Sequence, residues 1–189
     1  MQRRTIIRIA LALVALAGSS EPALAAGASS PRTRAFSSGG VSFRYPTAWK
    51  VSPTAWRWTS SFEHLVSYLA TQPMHDPCTR SSDGTTTCAP PIGALVSGAI
   101  LVSWTREGTP GWTLAKQAGR RTTLAGRPAK VAVSRPGTCR YLGAGETVTA
   151  QIALAAKSSS IRMQACLRGS TTAANERRVL AMLATLHLR

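Results

Sequence analysis

Acidic residues are scarce in this chain: 7 Asp plus Glu stand against 23 Lys plus Arg in 189 residues. Chemistry that needs facing carboxylates therefore has little material to draw on. Lysine is scarce too, at 4 residues, so the formal charge of +16 is carried mainly by 19 arginines. No apolar run reaches the roughly 20 residues that a membrane-crossing helix requires. The sequence has no Gly-x-Ser-x-Gly elbow, no phosphate-cradling glycine loop, no dinucleotide fingerprint and no Cys-x-x-Cys pair, so the usual signatures of hydrolases, nucleotide enzymes and zinc modules are missing. A hydrophobic content of 44 % with five Trp excludes a wholly disordered chain. The length suits one domain.

The start of the chain reads as an address. Met-Gln-Arg-Arg-Thr-Ile-Ile-Arg is followed by the apolar run Ile9 to Ala17 and then by Ala23-Leu24-Ala25. A basic start, a short apolar core and a small-residue site describe a secretory signal peptide over residues 1–25, cleaved after Ala25 or Ala26. Arg3-Arg4-Thr5-Ile6-Ile7-Arg8 resembles a twin-arginine export signal, and paired arginines also occur in general secretory signals, so both routes stay open. No Cys lies near the cleavage site, which argues against a lipid anchor. Small and polar residues with Pro31 make 26–35 a flexible leader, and 36–189 a single domain.

Outside the cytoplasm, four cysteines imply disulfides. Cys78 and Cys88 flank an Asp83-Gly84 turn signal, with Pro77 and Pro90 outside them, which favours their pairing and leaves Cys139 with Cys166. Loop entropy assigns about 3 and about 3.5 kcal/mol to these bridges before any strain. A competing reading takes His75 and Cys78 as metal ligands. No second His lies nearby, and a disulfide removes the thiolate, so neither a metal nor any other cofactor is expected.

Period-two alternation recurs along the rest of the chain. Val41, Phe43 and Tyr45, then Ile100, Val102 and Trp104, then Val131 and Val133 mark strands. Residues 147–155 and 161–168 alternate most regularly, and 157–160 reads as their hairpin loop. Residues 63–71 form another strand of less regular pattern. Thr109-Pro110-Gly111-Trp112 predicts a short helix stopped by Gly119, and Val179, Met182, Leu183 and Leu186 predict a C-terminal amphipathic helix over 172–186. Trp49, Trp104 and Trp112 are expected in the core. The implied class is α+β, an antiparallel sheet with helices packed on its faces.

Two stretches look familiar. Gly40-Val-Ser-Phe-Arg-Tyr-Pro-Thr-Ala-Trp-Lys-Val51 resembles the opening strand of secreted PsbP-like domains, and the strand ending Cys166-Leu167-Arg168 with the helix that follows is similar to that family's close. Leu124-Ala125-Gly126-Arg127-Pro128-Ala129 also looks like a step into a strand seen in such domains. The resemblance implies an α/β/α sandwich and a binding or assembly role. It implies no catalytic residues, because none are shared across that family.

Catalytic candidates are thin. His64, His75 and His187 are the histidines, and no pattern groups Glu63, Asp76, Asp83, Glu107, Glu146 and Glu176. The leading expectation is a secreted, disulfide-stabilised, basic, non-enzymatic binding or assembly module of the bacterial cell envelope. Its partner would be an anionic envelope component or an envelope protein, with Arg57, Arg120, Arg121, Arg162 and Arg168 as anion-binding candidates. Two alternatives stand beside it: an extracytoplasmic hydrolase using His75 or Asp76, and an adaptor docking through the 76–91 disulfide loop. Nucleic acid is not an expected partner, and oligomeric state is not readable. The arginine excess also admits a purely compositional origin.

Overall fold

A computed structural model of the chain describes residues 32–156 and 158–189. The expected signal peptide at 1–25 and the first part of the leader lie outside the described residues. Among the described residues, twelve strands run in the order β1 (Thr33–Ser38), β2 (Val41–Pro46), β3 (Lys50–Val51), β4 (Glu63–Ala70), β5 (Cys78–Arg80), β6 (Thr86–Cys88), β7 (Ile100–Glu107), β8 (Arg120–Leu124), β9 (Arg127–Ser134), β10 (Glu146–Ala153), β11 (Ser160–Leu167) and β12 (His187–Leu188). Helix α1 (Thr172–Ala184) precedes the last strand. β1 takes in the final three residues expected in the leader.

Seven strands form one antiparallel sheet in the order β3-β4-β7-β11-β10-β9-β8. A three-stranded sheet, β1-β2-β12, lies with α1 over one face of it, and β5-β6 forms a separate hairpin. The core on that face joins Val41, Phe43 and Tyr45 of β2 to Trp104, Ile152, Ile161 and Met163 of the large sheet and to Val179, Met182 and Leu183 of α1. Phe43 stacks on Trp104 with ring centroids 5.0 Å apart. The strict alternation of β2 follows from lying between core and solvent.

The opposite face of the large sheet carries a second, smaller core. Leu65 and Tyr68 of β4, Leu101 of β7 and Cys166 of β11 are covered there by Ile92, Leu95, Cys139 and Leu142. A register shift between Leu65 and Ser67 explains why β4 lacks clean alternation: Val66 and Leu69 serve the first core, Leu65 and Tyr68 the second. Burial on both faces likewise leaves β10 almost fully covered.

This architecture corrects the expected fold class. Among the described residues the protein is mostly β, with three sheets and a single α-helix confined to one face. It is not an α/β/α sandwich with flanking helices, so the PsbP-like expectation for the fold fails. The second expected helix is replaced by a turn and a single 3-10 turn at Leu114–Lys116. Gly111 has φ of +73°, and Thr113 is extended, so the backbone cannot wind through the segment. α1 itself ends at Ala184, two residues before the buried Leu186.

Both disulfides are closed. Cys78–Cys88 clips β5 to β6, whose turn holds Gly84 at φ of +84°, and Cys139–Cys166 pins the 139–145 segment beneath the large sheet. Trp49 and Trp104 lie in the core, whereas Trp112 is half-buried.

Candidate functional site

The second core covers only part of its sheet face. Beside it, side chains on β4, β7 and β11 form an open polar floor, because the antiparallel register puts Gln164 opposite Ser103 and Arg162 opposite Thr105. One row further along the strands, Glu63 lies directly opposite Glu107. Like charges in that position repel. Arg162 relieves the repulsion by bridging them: its Nη2 donates to Glu63 Oε1 at 3.1 Å, and its Nε lies 2.8 Å from Glu107 Oε1. Ser160 Oγ adds a hydrogen bond to Glu107 Oε2 at 3.3 Å. Burial pushes the Glu107 carboxyl above its ordinary value, and Arg162 opposes that shift.

The floor opens into a cleft of about 130 Å³ walled by Trp58, Tyr68 and Tyr141. Burial raises the Tyr68 phenol above its ordinary value. Tyr141 stands at the rim and is 65 % exposed. Thr105 is 4 % exposed, and its hydroxyl has no hydrogen-bond partner within the protein. Trp58 is shared with a wider groove of about 600 Å³ that reaches the disulfide hairpin past Thr59, Ser60, Asp76 and Thr86.

The five expected anion-binding arginines are not gathered in one place. Arg120 and Arg121 are exposed on the edge strand β8, five positions across the sheet from β4. Arg57 donates to Ser38 Oγ and borders the hairpin groove. Arg168 follows the end of β11 and donates to the Leu95 carbonyl at 2.5 Å. Arg162 is the one placed in the cleft, and its charge is taken up by two carboxylates.

The residues expected of a hydrolase do not assemble. His75 and Asp76 are exposed, and Asp76 Oδ1 accepts the backbone N–H of Cys78 at 2.9 Å, a turn-forming contact. His64 Nδ1 lies 2.6 Å from Thr59 Oγ1, and His187 is on β12. Among the described residues, no three His, Cys, Asp or Glu side chains group as metal ligands would. The carboxylates that do meet, Glu63 and Glu107, sit on separate strands 44 positions apart in the chain, so their grouping has no local sequence signal. Both are held by Arg162, which leaves neither placed as a free acid or base.

A second bridging arginine repeats this economy of acids. Arg135 Nε lies 2.5 Å from the buried Glu146, and its Nη2 lies 3.1 Å from Glu176 on α1. Among the described residues, Arg135 and Arg162 are the only bases in ion pairs, and they engage four carboxylates. Asp76 and Asp83 remain, both tied into the turns of the hairpin segment. No described helix is long and apolar enough to cross a membrane. Comparison with protein families, curated proteins and solved structures finds no match for this chain.

Proposed function

We propose that the chain is an exported, disulfide-stabilised, non-enzymatic binding module whose basic surface engages an anionic component of the bacterial cell envelope. One observation carries the reading. Four of the six described acids are held by two arginines and the other two sit in turns, so the other described cations, most of them exposed, have no carboxylate partner. Such a surface holds a positive potential that internal pairing does not cancel, and polyanions are its natural counterpart. The Arg3-Arg4 start, the apolar run and Ala23-Leu24-Ala25 support export, and the two disulfides suit an oxidising compartment.

The test is retention of the purified, disulfide-bonded protein on isolated envelopes over a salt series. The expected result is strong retention at low salt that collapses as the Debye length shortens from about 30 Å to about 8 Å. Arg120→Ala combined with Arg121→Ala should lower retention further, with the protein still folded because both side chains are exposed. Retention indifferent to salt, or no retention at all, would overturn the electrostatic reading.

A further inference from the structure

We infer that the cleft between Trp58 and Tyr141 is a binding site for a neutral hydroxylated ring, the residue of a sugar chain. Three observations converge on that class. The first is an unspent hydrogen-bonding group: the Thr105 hydroxyl is almost fully buried on the cleft floor and pairs with nothing in the protein. Leaving such a group unsatisfied is costly, and a hydroxyl beside a cleft is free to pair with what enters it. Ser103 and Gln164 flank it across the β7–β11 register; the Gln164 amide N–H is held by Thr138, which leaves its carbonyl oxygen as a neutral acceptor beside the Ser103 hydroxyl.

The second observation is the wall. Tyr68, Trp58 and the exposed Tyr141 supply aromatic surface with polar tips, the kind of side chain that packs on the C–H face of a sugar while its hydroxyls turn to polar groups. The third is charge. Glu63 and Arg162 both line the cleft and pair with each other, and the buried Glu107 holds the guanidinium from behind, so the cleft carries no surplus cation inside a chain of net charge +16. The arginine is already committed, so an anion finds no partner here, and the ligand is neutral. The volume of about 130 Å³ matches one ring, since an apolar cavity of about 150 Å³ holds benzene. The groove that continues from Trp58 toward the hairpin, with Thr59, Ser60 and Thr86 on it, gives room for an adjoining unit.

This site stands on its own geometry and does not depend on the anion-binding surface. It is tested by titrating the purified, disulfide-bonded chain with glucose, N-acetylglucosamine, cellobiose and chitobiose, followed by tryptophan fluorescence and amide chemical shifts. Work at about 0.5 M salt silences surface electrostatics, so a failure here is separable from a failure of envelope retention. The expected result is saturable binding in the millimolar range, tighter for a disaccharide, and weaker for glucuronate than for glucose. Tyr141→Ala and Thr105→Val should each weaken it about fivefold to tenfold, as loss of one contact does. Tyr141 is exposed, and Thr105→Val removes an unpaired hydroxyl at constant shape, so both variants should melt no lower than the parent. Absence of saturation, binding equal in parent and variants, or glucuronate binding as well as glucose would each overturn the assignment.

Discussion

Replacing Arg162 by Met removes the cation that holds two facing carboxylates together, and the cost is calculable in outline. Breaking a buried ion pair from one side costs about 3–5 kcal/mol, because a charge is left without compensation. The Glu107 side chain is 7 % exposed, but Arg162 and Glu63 keep 30 % and 34 % of theirs, so solvent screens part of the interaction. A loss of about 2–3 kcal/mol at neutral pH is the reasonable expectation. The loss should also depend on pH. Burial already holds the folded-state Glu107 above its ordinary 4.5, while Arg162 pulls it down. Above 4.5 the unfolded chain gives up this proton before the folded one does, so this group favours folding less as pH rises through the folded value. Without Arg162 the folded value climbs further, and the deficit grows with pH; below 4.5 the carboxyl is protonated in both states and the deficit narrows. Urea unfolding followed by tryptophan fluorescence, at about pH 4 and about pH 8, measures both arms. Adding Glu107→Gln to Arg162→Met should restore most of the stability at the higher pH. A deficit identical at both pH values, or one within about 0.5 kcal/mol at both, would refute the bridging argument.

Two further outcomes follow from the packing. Cys139 and Cys166 are buried, and their bridge ties the 139–145 segment under the large sheet, so Cys139→Ser with Cys166→Ser should cost about 3–4 kcal/mol in urea unfolding and expose that segment to protease; unchanged stability would show that the second core holds without its covalent pin. Asn175 is fully buried on α1, donates to the Gly98 carbonyl at 3.1 Å and accepts from Arg178 at 2.9 Å, so Asn175→Ala should cost about 1–3 kcal/mol, and a neutral effect would mean that this contact does not fasten the helix to the 98 turn.

Most of the longer elements are written in local pattern. Alternation in β2, β7, β10 and β11 was legible because the large core takes every second side chain and the positions between are mostly polar or small, and the terminal helix was legible from Val179, Met182 and Leu183. The Asp83-Gly84 turn pointed to the Cys78–Cys88 clip for the same local reason. The expected short helix after Thr109 does not form: Thr109 as a cap and Pro110 at the first helical position suggest a start, while Gly111 at positive φ turns the chain instead. β8 went unseen, since an exposed edge strand of Arg-Arg-Thr-Thr-Leu has no alternation to show.

Tertiary structure alone decided the layers and the site. Composition and periodicity say that strands exist, not which face a lone helix covers, and here α1 shares one face with a second sheet while loops and a disulfide close part of the other. The cleft depends on register between strands distant in the chain: β4 and β11 meet only through β7, and that alignment brings Glu63, Glu107 and Arg162 together over Thr105. Periodicity is a property of neighbours along the chain, whereas register is set by which apolar faces can be buried at once, and that is resolved only when the whole sheet closes on its cores.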